Sequence, residues 1–327
     1  MSEREVVGDP RLGGVMDIQG LANVYKEMGG FTAKYLIDAV ECALKMYSGE
    51  STTVFFSFTA NLIATGLRSV IAEFIKRGFV DVVFTTGGTI DHDIARSLGG
   101  KYYIGEFDAS DVELRAKGIH RLGNVFIPKD HYGPFIEKFT HEVLEELCED
   151  VNERLEIGVR ELLWHIGSKI KDDNSILRAC FEGRVPIYSP GVVDSAFGTA
   201  LFTFREVLRT RGKNLVLDVL KDMKELSEIV HVSKELGGLI LGGGISKHHL
   251  IWWSQFKGGL KYAIYITTAI EWDGSLSGAR TREAISWGKV HPKAKHVTVY
   301  GDATVLFPLF LAFLYAKIGR RSRSVKV

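Results

Sequence analysis

The chain has 327 residues, with 41 Lys or Arg against 40 Asp or Glu and a formal net charge of +1. That length fills one large α/β domain or two modest ones without disulfides or metals, and the balanced charge leaves no cation excess for a broad phosphate footprint, which argues against nucleic acid as a direct partner. Hydrophobic residues at 46% and charged residues at 25% suit a globular chain and exclude long disorder.

In chain order, residues 1–30 read as a polar N-terminal extension without the apolar run of a secretory signal. Phe31, Tyr35, Leu36, Val40 and Leu44 recur at helical spacing, so the stretch from Gly30 to Met46 predicts a helix, closed by Ser48-Gly49-Glu50. Val54 to Phe58 predicts a strand, Asn61 to Arg77 a helix, and Val80 to Thr85 a second strand running into Gly87-Gly88, which together make a βαβ unit. Ile90 to Leu98 predicts a short helix and Tyr102 to Phe126 a loop-rich region. Phe135 to Ile170 predicts one long amphipathic helix with Phe139, Val143, Leu147, Val151 and Leu155 inward. Val185 to Ser189, Gly238 to Leu241, Tyr262 to Thr267 and Val297 to Tyr300 predict further buried strands, each followed by a turn and a helical pattern. The alternation predicts an α/β fold, a single Rossmann-like domain over 31–316 whose mostly parallel sheet is covered by helices on both faces. Residues 317–327, with Arg320, Arg321, Arg323 and Lys326, predict a frayed, solvated basic tail.

Cys42, Cys148 and Cys180 are far apart and odd in number, so they read as reduced core thiols. With no export signal and no membrane-length apolar run, a cytoplasmic protein without membrane association is expected.

The 35 glycines cluster behind apolar runs, which suggests backbone approaching a ligand. Leu239-Ile240-Leu241 leads through Gly242-Gly243-Gly244 into a helix that begins with Ser246-Lys247-His248-His249. A strand, a glycine turn and a helix N-terminus can present amides to a pyrophosphate; a tight turn demanding positive φ is the plainer alternative. Thr85-Thr86-Gly87-Gly88 and Tyr300-Gly301-Asp302-Ala303 have the same small-residue character at strand ends, where open parallel sheets hold ligands.

A second constellation runs from Glu271 to Arg280 and on to Glu283, Trp287, Gly288 and Lys289. Glu283 and Trp287, four apart, share one face of a helix that Gly288 ends, and Lys289 leaves it beside the indole. An apolar neighbour favours the neutral amine that can attack a carbonyl or imine carbon; a surface helix end with a cation–π contact is the alternative. His248 reads as a proton acceptor, with His249 pointing elsewhere. Neither that pair nor Asp91-His92-Asp93 has the spaced partners of a metal site, so no metal is expected.

In this order, Gly242-Gly243-Gly244 with Lys247-His248-His249, the Glu271 to Arg280 run, and Glu283 with Ser286-Trp287-Gly288-Lys289 resemble the deoxyhypusine synthase family. The likeness covers nearly the whole chain, from Ser57-Phe58-Thr59-Ala60-Asn61 through 114–128 to Asp302-Ala303. It implies NAD as cofactor, spermidine as aminobutyl donor, a lysine of the translation initiation factor 5A precursor as acceptor, and a homotetramer with active sites between subunits. By position it implies Lys289 as the imine-forming residue, His248 as proton acceptor, Glu283 on a substrate ammonium and Trp287 on the polyamine chain; Trp252 and Leu276, which depart from the family pattern, are expected to line the apolar middle of the tunnel. The NAD contacts it implies are Asn61, Thr86, Gly87, Asp194, Gly242, Gly243, Gly244, Thr268, Asp273, Ser275, Ser277, Asp302 and Ala303.

The chain departs from the eukaryotic pattern at Thr199 and Leu276, where polyamine-binding aspartates stand, at Trp252 in place of an asparagine, and at His92 in place of a glutamate. A rearranged set of acids is expected to hold the donor: Glu283 remains, and Asp91 or Asp93, beside a predicted ligand-facing strand end, is a candidate replacement that a short shift of backbone would present. Two alternatives follow from these departures: a homospermidine-synthase-like aminobutyl transferase acting on small amines, and an NAD-binding inactive paralogue serving as an assembly subunit.

Overall fold

The computed structural model describes residues 7–13, 16–49, 51–149 and 151–323. Part of the N-terminal extension and the end of the basic tail, including Lys326, lie outside the described residues. Within the extension, Ile18–Met28 forms α1, started by Asp17, which accepts from the Gly20 amide at 2.6 Å, and closed by Gly29 at φ +59°. Phe31–Ser48 forms α2, which buries Leu36, Val40 and Ala43 but leaves Phe31 exposed. Thr52–Phe58 forms β1, buried along its whole length. The helix predicted from Asn61 is shorter: a 3₁₀ turn over Ala60–Leu62 precedes α3, Leu67–Lys76, with Gly66 just before it. Val82–Phe84 forms β2, and α4, Gly87–Ser97, starts on the glycine pair itself.

The region expected to be loop-rich holds β3 (Tyr103–Ile104), α5 (Asp111–Ala116), β4 (Ile119–Leu122) and β5 (Val125–Pro128). Those strands make a small antiparallel sheet in the order β3-β5-β4. The long helix from Phe135 to Ile170 is corrected by the structure: α6 covers Gly133–Cys148, β6 covers Arg154–Ile157, and α7 covers Val159–Lys169. Arg154-Leu155-Glu156-Ile157 alternates with period two and pairs in parallel with residues 214–217, so Leu155 belongs to a strand. The chain continues through α8 (Ile176–Glu182), β7 (Ile187–Tyr188), α9 (Ala196–Thr210), β8 (Asn214–Leu217) and α10 (Val219–Val232). It ends with β9 (Glu235–Leu241), α11 (Gly244–Ser254), β10 (Leu260–Thr267), the single turn α12 (Glu283–Ser286), β11 (Val290–Tyr300) and α13 (Ala303–Tyr315).

The described residues divide into two compact units. The first holds the chain up to Ser57, Arg77–Asp81 and the stretch from Val230 onward; the second holds Phe58–Lys76 and Val82–Ile229. The chain passes from one to the other several times, so neither unit is a continuous stretch of sequence. In the first, the strand order is β11-β10-β9-β1, with β10 parallel to both β9 and β11. Helix α2 packs on β10 and β11, α13 on β10, and α11 on β9. In the second, β2 pairs in parallel with β7, and β6 with β8. The protein is α/β, with mostly parallel strands flanked by helices, as the alternation predicts. Among the described residues, no helix is long and apolar enough to cross a membrane.

Cys42, Cys148 and Cys180 are buried and unbridged, and burial pushes the Cys42 thiol up to about 12. The basic tail departs from its prediction. Arg321 is folded against the first unit, 3.0 Å from Asp81, and also donates to the Thr52 carbonyl at 2.6 Å. Asp81 is fully buried, so it needs a cation; the pairing spans 240 residues of sequence and is invisible to local reading.

Candidate active site

The carboxyl ends of β9, β10 and β11 lie side by side in the first unit, tied by the Gly242 amide on the Ile266 carbonyl at 2.8 Å and the Gly301 amide on the Thr267 carbonyl at 3.0 Å. Gly242 turns the chain out of β9 at φ +83°, and Gly244 starts α11 at φ +64°. Gly243 is a glycine for a different reason. A Cβ there would stand 2.5 Å from the Ser277 Cα and 2.2 Å from its Oγ, so the turn and the 275–279 segment are in close contact. The Gly244 amide donates to Ser277 Oγ at 3.2 Å.

Below this turn, α11 and α12 enclose a cavity of about 310 Å³ with the segment between them. Its walls include His248, Trp252, Leu276, Glu283, Trp287 and Lys289, so the structure brings together all six residues assigned to catalysis and substrate binding. α12 is one turn long, and Gly288 follows it at φ +67°, reversing the chain so that Lys289 points back into the cavity. The Lys289 backbone is held by its amide on the Ala284 carbonyl at 2.9 Å and by its own carbonyl, which accepts from Ser254 Oγ at 2.7 Å. Only 7% of Lys289 is exposed. Its Nζ lies 3.4 Å from His248 Nε2, 5.3 Å from the Trp287 ring centre and 5.7 Å from that of Trp252.

The His248 ring stacks on Trp252, with centres 5.8 Å apart and planes 28° from parallel. Burial and the neighbouring Lys289 charge hold its pKa below the usual imidazole value, so it is neutral near pH 7 and able to accept a proton. His249 points away and meets Trp253 edge-on; burial and the His248 charge lower its pKa to about 4.

The remaining first-unit residues surround the strand ends. Thr268 follows β10, Asp273 accepts from the Ser275 amide at 2.6 Å, and the Ser277 carbonyl accepts from Thr267 Oγ1 at 3.2 Å. Ser275 also lines the cavity. Asp302 caps α13, accepting from the Thr304 amide at 2.9 Å, and Ala303 is the first helical residue. In the second unit, Thr86 precedes α4 without a side-chain cap, and Gly87 meets the 192–195 turn that carries Asp194: a Cβ on Gly87 would stand 2.6 Å from that of Ser195. Asn61 accepts from Thr59 Oγ1 at 2.6 Å. Thr199 is exposed on α9 and bonds back to the Ser195 carbonyl.

Asp91 and Asp93 are not free acids, which corrects their assignment as replacements. Asp91 accepts from the Ala196 and Phe197 amides at 2.9 and 2.8 Å and from the Tyr132 hydroxyl at 2.9 Å. Asp93, fully buried, pairs with Arg68 at 2.6 Å and accepts from Ser175 Oγ at 2.7 Å. Both begin helices from the inside, a use that no local pattern reveals. His92 is buried beside the Tyr102 hydroxyl at 2.9 Å, and burial lowers its pKa to about 4.

Lys247, quoted in the sequence motif without a role, and Tyr265, which the sequence did not single out, also line the cavity. Lys247 is 1% exposed, and its Nζ donates to the Leu276 and Ala279 carbonyls at 2.6 and 2.7 Å over the Tyr265 ring. The available signal was its spacing: Leu250 and Ile251, three and four residues on, lie on the buried face of α11.

The sequence model of deoxyhypusine synthase matches residues 20–314. The chain belongs to the deoxyhypusine synthase family. It is 52% identical over 315 residues to a protein of Ignicoccus hospitalis, covering 96% of this chain and 97% of the other, and 50% identical over 309 residues to one of Sulfolobus acidocaldarius, covering 94% and 96%. Both are described as probable deoxyhypusine synthases. A solved structure of a candidate deoxyhypusine synthase from Entamoeba histolytica superposes with a TM-score of 0.63 at 19% identity, over 95% of this chain and 96% of that one, and is similar in fold. Membership of the deoxyhypusine synthase family implies a transferase.

Proposed function

We propose that this chain is a deoxyhypusine synthase that uses NAD to move the aminobutyl group of spermidine, through an imine on Lys289, to a lysine of the translation initiation factor 5A precursor. The reading rests most on one observation: a buried lysine amine stands 3.4 Å from a neutral-leaning imidazole in a cavity that also holds a carboxylate and two indoles. Glu283 suits a substrate ammonium, and Trp287, Trp252 and Leu276 suit methylene groups between charged ends. His248 takes the proton lost when an amine becomes an imine. The Lys289 amine then attacks the imine carbon, the diaminopropane portion leaves as a free amine, and the aminobutyl group stays on Nζ as a new imine. Attack by the acceptor lysine releases Lys289 again.

The strand-end residues fit a dinucleotide. Ser277 takes the Gly244 amide, but no side chain caps the start of α11 and a Cβ at Gly244 would stand in open space, so the following amides of the first turn suit a phosphate. Gly242 to Gly244, Thr268, Ser275, Ser277, Asp302 and Ala303 would hold NAD in the first unit, with Asp273 fixing the turn before Ser275. Asn61, Thr86, Gly87 and Asp194 stand as NAD contacts on the family resemblance alone. Bound there, NAD supplies hydride acceptance from the donor amine and hydride return to the final imine.

The test is one incubation with labelled spermidine, NAD and the factor 5A precursor, with putrescine and other free amines as competitors. Label on the precursor supports the proposal. Label on the small amines alone would make the chain a homospermidine-synthase-like transferase, and no NAD-dependent release of diaminopropane would make it an inactive paralogue.

A further inference from the structure

Lys247 has no part in the chemistry proposed above, yet it is among the most completely buried long side chains of the protein. A buried ammonium is tolerated only where its N–H groups are satisfied, and here they meet two backbone carbonyls, those of Leu276 and Ala279, at 2.6 and 2.7 Å. The Tyr265 ring centre lies 4.4 Å from Nζ; burial lowers the Lys247 pKa to about 8, and the Glu283 carboxylate opposes that by attracting the charge. The segment so held has two faces. Leu276 and Ala279 line the Lys289 cavity, while Ser277, between them, abuts Gly243 and accepts from the Gly244 amide.

We infer that Lys247 is a positioning residue: by clamping the Leu276 and Ala279 carbonyls it holds one segment rigid as both the wall of the Lys289 cavity and the stop against the glycine turn. Neighbours on α11 divide the work, His248 facing the reacting amine and Lys247 fixing the wall opposite. The inference rests on reading this cavity as the active site, but its structural part can be measured without turnover.

The test replaces Lys247 by Met, which keeps the length and removes the donors. In the folded variant, amide hydrogen exchange at 276–279 should rise at least about tenfold while the amides of β9 and β10 stay unchanged, since the clamp is local. If the wild type transfers aminobutyl groups, kcat should fall about a hundredfold while borohydride added during turnover, which reduces an enzyme imine to a stable adduct, still marks Lys289, a pattern general loss of stability does not give. Unchanged exchange at 276–279 in a folded Lys247→Met protein overturns the inference, as does a borohydride adduct on Lys247 in the wild type. If the variant does not fold, ¹⁵N-lysine NMR of the wild type, with the Lys289 signal identified from its loss in Lys289→Met, decides: an ammonium group other than that of Lys289 with protons shielded from solvent exchange is expected, and exchange of every other lysine at the exposed rate overturns it. A wild type with a protected segment and no transferase activity would instead sink the proposed function and leave the clamp standing.

Discussion

Under the proposed function Lys289 and His248 divide the acid and base work of the site, and at 3.4 Å the charge of one sets the titration of the other. A guanidinium stays protonated, so Lys289→Arg should abolish transfer to any acceptor; residual label transfer by that variant would remove Lys289 from its role. Loss of a base near neutrality lowers rates by about 10² to 10⁴, so His248→Ala should fall in that range and His249→Ala by less than about tenfold; equal losses in a side-by-side assay would refute the choice. The pH dependence has a fixed sign. Burial and the Lys289 charge lower the His248 pKa, so kcat/KM should fall only as pH drops below the ordinary imidazole value of 6.5. In Lys289→Met the charge is gone and burial remains, so an NMR titration should show the imidazole protonating at a higher pH than in the wild type.

At the scale of elements, the turn between β9 and α11 separates two kinds of glycine. Gly244 has open space and a left-handed backbone, so Gly244→Ala should cost about 1 kcal/mol through conformation alone. A Cβ on Gly243 runs into Ser277, backbone included, so Gly243→Ala should cost about 3 kcal/mol and move the 276–279 segment. Urea unfolding of both variants checks the order; equal losses would mean that the contact relaxes freely. The sequence motif drew attention to this turn for its room beside a phosphate, and the close approach to Ser277 adds a second reason for glycine that no local pattern contains. Likewise, α6 and β6 were merged because Leu147, Val151 and Leu155 continue a helical stripe; the strand is decided by a partner sixty residues later.

For the whole molecule, the C-terminal arginines matter more than their place in the chain suggests. Arg321 carries the main ion pair to Asp81, whose carboxylate also accepts from the Val54 amide at 2.8 Å. Removing one partner of a buried pair leaves a charge without compensation, so Arg321→Ala should lower stability by about 3 kcal/mol, near the low end of such losses because Arg323 stays 3.7 Å from the same carboxylate. Thermal and urea unfolding check this, and a change below about 0.5 kcal/mol would return the tail to the solvated class first read from its composition.

Local order carried much of the protein. The alternation of apolar strand runs with helical stripes determined the α/β class and the parallel strands, because periods of 2 and 3.6 are set by the backbone itself. The spacing from Glu283 to Lys289 determined that an acid, an indole and an amine share one short stretch, because a single helical turn and a glycine reversal place them there. Tertiary structure alone decided which acids are free, since Asp91 and Asp93 are taken up by helix ends and an arginine distant in sequence. It alone decided that Lys247 is buried and Arg321 docked. Both follow from desolvation: a charge removed from water takes whichever partner the fold brings within hydrogen-bond reach, and sequence distance has no bearing on which group that is.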